Sequence, residues 1–165
     1  MKYLLDSDSL IRSKNDSYRF DRHPGFWRFL ERSNAEGLVY SIERVGRELT
    51  GEDELAKWAK KQGAQFFLPP DDKVIDSFRK VARWVVDNPQ YIQAAKEEFL
   101  ARADFGLVAH AHAHGFTVIT FEKDEPASKK AIKIPTACNQ FGVPSMNIFR
   151  LIEKLQPTFV LQEEK

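Results

Sequence analysis

Four acids stand where structural elements begin or end: Asp6 after the apolar run Tyr3-Leu4-Leu5, Glu48 on a helical stretch, Asp104 opening another, and Glu122 after a β-branched run. Carboxylates gathered in one place repel, at about 4 kcal/mol per pair 4 Å apart in an effective dielectric near 20, unless a cation neutralises them or some keep a proton. An oxygen-only set suits a hard ion, and Mg²⁺ or Mn²⁺ fits it, keeping several waters and meeting phosphate oxygens directly. Such a site activates water and stabilises the leaving alkoxide of a phosphodiester. Each acid alone also has a plain structural reading: with 24 acidic residues, several fall at helix starts by chance, and Asp104 suits the helix dipole there. Asp6 and Asp8 are open to a second reading as caps of the next helix.

The elements that must position these acids follow from periodicity. Tyr3 to Leu5 is apolar on both faces, as in the middle of a parallel sheet, and acids at its carboxyl end lie where open α/β sheets hold ligands. Arg12 to His23 is polar and reads as a loop or frayed turn with a small basic patch. Pro24 opens a helix carrying Phe26, Phe29 and Leu30 and ending at Gly37, and Leu38 to Ile42 reads as a second strand, giving a right-handed βαβ unit. Helices are expected from Glu43 to about Leu49 and from Glu52 to Lys61, then a short strand at Gln65 to Leu68.

Val74, Ile75, Phe78, Val81, Ala82 and Val85 trace a clear amphipathic stripe capped by Asp71 or Asp72, and Asn88-Pro89 leads to another helix through Leu100. Phe105 to His114 forms a helix closed by Gly115, and Phe116 to Thr120 is a strand. A lysine-rich loop from Lys123 to Pro135, a short helix over Thr136 to Phe141, a weak strand at Val143 to Asn147 and a helix over Ile148 to Leu155 follow. Phe159 to Leu161 is either an edge strand or a tail. The fold class is α/β, a single domain over residues 1–165, with a central, mainly parallel sheet and helices on both faces.

The 165 residues suffice to bury a core without staples, and the single Cys138 forms no intramolecular bridge, which fits a reducing, cytoplasmic setting. No apolar run reaches a membrane span, and a signal peptide is not expected after Lys2. The net charge of +1, from 25 basic and 24 acidic residues, requires any nucleic-acid contact to rest on a local patch. His110, His112 and His114 offer a zinc-like pair four apart, but the general-base Glu of a His-Glu-x-x-His helix and a third ligand are missing; a partly exposed helix end accounts for them as well. Most Phe residues sit at core spacing, which weighs against a broad stacking surface for single strands.

The stretch Tyr3-Leu4-Leu5-Asp6-Ser7-Asp8-Ser9-Leu10-Ile11 resembles the opening strand of the PIN-domain nucleases, including the VapC-type toxin ribonucleases. Val45-Gly46-Arg47-Glu48-Leu49 resembles that family's second motif, so Glu48 is a better candidate than Glu43. Ala103-Asp104-Phe105 through Ala111, with Gly115 and Val118-Ile119-Thr120, resembles its third motif and following strand. The resemblance runs in order to about Asn147, while Glu52 to Leu100 matches only in general arrangement. The family commonly carries Thr-Asn-Asp or a similar acidic tail after its fourth strand; here Thr120-Phe121-Glu122 stands, with Asp124 as the fallback acid.

The resemblance implies a three-layer PIN-like fold and a metal-dependent endoribonuclease, the toxin of a toxin–antitoxin pair among its members. Asp6, Glu48, Asp104 and Glu122 then hold one or two Mg²⁺ or Mn²⁺ ions, with Asp8 as a further ligand. Thr120 positions the water or a ligand, and Arg12, Arg44 and Lys123 meet the RNA backbone. The partners so implied are RNA, a cognate antitoxin and a homo-oligomer, with no membrane. The alternative is a PIN-like module that binds RNA or protein without cleaving.

Overall fold

The computed structural model describes residues 1–163. Five short strands, β1 (Tyr3–Leu5), β2 (Val39–Ile42), β3 (Phe67–Leu68), β4 (Thr117–Ile119) and β5 (Ser145–Met146), form one sheet in the order β3-β2-β1-β4-β5. Every neighbouring pair is parallel, with Tyr3 opposite both Val39 and Thr117. β1 is central and wholly buried, as its unbroken apolar run requires, with Leu4 and Leu5 at 0% exposure.

Strand order reverses at β1. The chain moves outward one way through β2 and β3, then returns to the other side for β4 and β5. Because parallel crossovers are right-handed, the two directions of travel send their helices to opposite faces, which makes the α/β sandwich of three layers. The crevice outside the carboxyl ends of β1 and β4 is the switch point, where open sheets of this kind bind ligands.

The helices are α1 (Ser7–Arg12), α2 (Pro24–Ala35), α3 (Glu43–Glu48), α4 (Glu54–Gln62), α5 (Asp72–Asp87), α6 (Gln93–Ala101), α7 (Ala103–His114), α8 (Ile134–Gln140) and α9 (Ile148–Leu155). α2 lies against β2, while α7 crosses β2 and β4 and is covered by α5, α6 and α8. α7 is buried almost all round, consistent with its Ala, Gly, Leu and Val content. Gly115, at φ 71, ends it in the left-handed conformation that only glycine adopts without cost. Gly106 is needed for a different reason: a Cβ there would fall 2.9 Å from Ile42 Cδ1 and 3.1 Å from Arg44 Cδ.

Two elements depart from the sequence reading, and a third takes one of its two alternatives. The polar stretch from Arg12 is not simply a loop. Asp6 caps α1 before it, and the chain continues through a wide turn at Ser13–Ser17, where the Ser13 hydroxyl donates to Ser9 O at 2.7 Å and buries both serines. α6 starts at Gln93 rather than at Pro89, since Gln90 Nε2 instead donates to the carbonyls of Pro126 and Ser128 and ties this turn to the lysine-rich loop. Phe159 to Leu161 is a tail without strand pairing, its Phe159 ring lying 6.2 Å from those of Tyr18 and Phe29. Among the described residues no helix is long and apolar enough to cross a membrane.

Candidate active site

β1 ends by handing its chain directly to Asp6, whose N–H donates to Ile119 O of β4 at 3.0 Å. The Asp6 carboxylate then caps α1, Oδ1 accepting the Ser9 N–H at 2.7 Å. Both readings of Asp6 therefore hold together: it is the helix cap and it stands at the switch point. A cap of this type contributes about 1 kcal/mol. Burial outweighs it: Asp6 is 1% exposed, and its carboxyl is pushed up to about 6 by burial, against the hydrogen bonds from Ser9 and Thr120 and with a small push from Asp8.

Asp104 lies in the first turn of α7, where the helix dipole favours an anion. Even so, its carboxyl is pushed up to about 7, first by burial and then by Glu122, with Asp6 and Glu48 adding repulsion and Arg102 opposing it. The four acids expected from the sequence thus share one field, gathered from β1, α3, α7 and the end of β4.

Glu122 and Glu48 are held by the chain. Glu122 accepts the Ile134 N–H at the start of α8 through Oε2, at 2.7 Å, while its own N–H donates to Thr120 Oγ1 at 3.1 Å. Glu48 uses both oxygens: Oε1 accepts the Ala103 N–H at 2.9 Å and Oε2 the Ser7 hydroxyl at 2.5 Å. It braces the starts of α1 and α7 against α3. Among the described residues no three His, Cys, Asp or Glu side chains converge tightly enough to cage an ion. The donor chemistry nevertheless fits a hard divalent cation, for it is all oxygen and its two aspartates resist ionisation, a strain that a bound cation would relieve.

Other expected residues fall differently. Asp8 pairs with Arg12 at the surface (Nε–Oδ2 3.0 Å), both side chains about half exposed, so it does not face the other acids. Thr120 is 3% exposed and its hydroxyl serves Asp6 and the Glu122 N–H, which makes it a support of the acids rather than a substrate contact. Arg12 lies over the Phe121 ring, 5.1 Å from its centroid, and Lys123 is exposed beside Glu122. Arg44 is turned inward over Phe78 and Phe105. Asp124 accepts from the Thr136 hydroxyl and Asn139 Nδ2, which fastens the loop to α8 instead of serving the acid group. Glu43 pairs with Arg47 at 2.7 Å.

The histidines do not form a zinc pair. His110 is buried, His112 Nδ1 lies 2.7 Å from the Ser77 hydroxyl, and His114 Nε2 lies 2.7 Å from Asp71 Oδ2. Cys138 is buried too, its thiol pushed up to about 12, which leaves it unreactive.

Two contributors were missed in the sequence. Arg102, just before α7, opposes the rise of the Asp104 carboxyl, and its own charge is held more firmly by Asp104 and Glu48. Its signal was an arginine two positions before a helix-opening acid. Ser7 holds Glu48, a role carried by a contact across 41 residues and invisible to local spacing.

No curated protein and no solved structure matches the chain. A family model does match residues 3–159, nearly the whole sequence and every element of the acid site, so the chain belongs to the family described as Domain of unknown function (DUF4411).

Proposed function

We propose that this protein is a divalent-cation-dependent endoribonuclease of PIN-like type that hydrolyses RNA phosphodiester bonds in a cytoplasmic setting. One observation carries the reading: a buried aspartate, Asp6, and a half-buried one, Asp104, lie at the switch point of a parallel sheet with carboxyls raised to about 6 and about 7, with Glu122 and Glu48 in the same field. Asp6, Asp104, Glu122 and Glu48 are the residues that would hold Mg²⁺ or Mn²⁺. When bound, the ion supplies an acidified water and charge stabilisation at the phosphate.

The chain's own contributions follow from the contacts. Ser9 and Thr120 fix the Asp6 carboxylate by hydrogen bonds. Asp104 exchanges its proton near neutral pH, so the acid group can change charge without leaving its place. Glu122 keeps Oε1 outside its bond to Ile134, and Glu48 holds the starts of α1 and α7 at a fixed spacing. Arg12, Lys123 and Arg102 are the cations at this rim suited to a polyanionic backbone.

A second reading, an RNA- or protein-binding module without cleavage, draws on Phe121, whose ring carries Arg12 where the related pattern has an amide. The two part on one assay. The nuclease cleaves RNA with Mn²⁺ or Mg²⁺ and loses this activity in Asp6→Asn and Asp104→Asn proteins that keep wild-type circular dichroism. Cleavage that persists in both folded variants sinks the site; metal-independent RNA binding without any cleavage favours the module. The toxin role has its own check: expression with its antitoxin absent arrests growth, and expression of Asp104→Asn does not.

A further inference from the structure

Beside the acid rim, the carboxyl ends of β2 and β3 together with α3, α5 and α7 enclose a cavity of about 270 Å³. One wall is apolar, made by Ile42, Leu68, Pro70 and Phe78. The rest of the lining is Gly106 with the polar Glu43, Arg44, Arg47 and His110, Glu43 and Arg47 being paired with each other. The Arg44 guanidinium lies 5.3 Å from the ring centroids of both Phe78 and Phe105, whose rings are 5.2 Å apart, and its stem passes Gly106 in the space a side chain there would fill. Among the described residues Arg44 has no carboxylate partner, for the neighbouring Glu43 is taken by Arg47 at 2.7 Å. A cation fixed by two rings with its donors unused is prepared for an anion that the chain does not provide.

His110 is 4% exposed, and among the described residues its ring has no hydrogen-bond partner. Among the described residues no wholly buried side-chain nitrogen or oxygen lacks a partner, so the surface His110 keeps is at its ring nitrogens, where it lines the cavity. Burial, with repulsion from His114, pushes the imidazole down to about 4 against the attraction of Asp71, and it therefore stays neutral, offering one donor and one acceptor. An apolar wall, a neutral donor–acceptor pair and one free guanidinium, in a volume below the usual range for drug-sized ligands, match a single heterocyclic base with an attached phosphate better than a bare anion. The acid group and this cavity share α7, Asp104 standing at its start and Gly106 and His110 lining the cavity.

We infer that the cavity is a subsite for the base of an unpaired nucleotide next to the scissile phosphate, with Arg44 on the phosphate and His110 on the base edge. This rests on the ribonuclease reading for the word scissile, but not for binding. A paired base has its edge occupied and cannot enter.

The test is a titration in EDTA of each of the four ribonucleoside 5′-monophosphates, the four ribonucleosides and inorganic phosphate, following the His110 ring resonances by NMR. At least one monophosphate shifts His110 and binds about tenfold tighter than both its nucleoside and inorganic phosphate, and Arg44→Met weakens it at least about tenfold. Arg150→Met, whose guanidinium is paired with Glu153 and lies outside the cavity lining, leaves it within about twofold. Should Arg44→Met fail to fold, Arg44→Lys keeps the charge and loses the planar fork, and still weakens binding. Absence of any His110 shift, equal binding of inorganic phosphate, or wild-type affinity in a folded Arg44 variant overturns the subsite. RNA cleavage with no mononucleotide binding leaves the nuclease and removes the subsite; mononucleotide binding with no cleavage does the reverse.

Discussion

The two ends of α7 hold titratable groups in opposite condition. At the C-terminus, His112 meets Ser77 and His114 meets Asp71, each at 2.7 Å, and Asp71 is held below the usual carboxylate range, first by the Val74 N–H it caps and also by His114. At the N-terminus, Asp104 sits with three other acids and a single arginine, and its carboxyl is raised instead. One end is satisfied inside the chain and ties α5 to α7. The other keeps a repulsion that raises the Asp104 carboxyl and that Arg102 only partly offsets. On one helix, this separates a satisfied cluster from a strained one more clearly than residue type does, since both the histidines and the acids are metal-ligand types.

The largest expected break in this contrast is at Asp104. Asp104→Asn removes a charge the fold resists, so cleavage falls at least about 100-fold while thermal stability is unchanged or higher. A folded variant that cleaves at the wild-type rate, or that melts well below wild type, contradicts it. The satisfied end behaves inversely. Ser77→Ala leaves the His112 nitrogen without its partner under α5 and costs about 1–2 kcal/mol, with cleavage unaffected. Loss of cleavage there, measured on protein shown to be folded, would erase the distinction between the ends.

A smaller effect sharpens the comparison through pH. Asp6 and Asp104 hold protons in the folded chain that unfolded aspartates have lost above about 4, so they make stability fall as pH rises through about 6 and about 7. His110 acts with the opposite sign, because the folded imidazole titrates near 4 and the unfolded one near 6.5, so its term raises stability up to about 6.5 and is constant above. The clean window is therefore pH 6.5 to 8. There the melting temperature in EDTA drops by roughly 2–4 °C, equivalent to about 1 kcal/mol. Asp104→Asn flattens most of that slope, and Mn²⁺ reverses it in the wild type. A melting temperature that rises across this window refutes the assignment of the strained end.

How much of this was readable beforehand depends on the range of the interactions. The alternation of apolar runs with helical stripes showed β1, β2, β4 and the long α5 close to their observed limits, because burial on both faces or on one stripe leaves a local pattern. The four acids were visible by their places at element ends. The reversal of strand order at β1 was not, since pairing partners are chosen by tertiary packing. Nor was the bracing of Glu48 by Ser7 and Ala103, or the burial of His110, which depends on α5 covering a helix end that sequence alone presents as exposed. α1 was hidden by its polar residues: six residues with one deeply buried apolar side chain, Leu10, leave too short a stripe to recognise.

The smallest effect tests whether the satisfied end depends on charge or on geometry. The His114–Asp71 pair is partly open to water, where an ion pair adds little, and Asp71 keeps its bond to the Val74 N–H whether or not the histidine is present. His114→Gln should therefore move the melting temperature by no more than about 2 °C and leave cleavage within about twofold. Asp71→Ala should shift it further, because it removes the cap of α5 as well as the partner of His114, whereas Asp71→Asn retains an acceptor for the cap and should fall between the two. If His114→Gln proved as damaging as Asp71→Ala, the imidazole contact rather than the cap would be holding this end of α5 against α7.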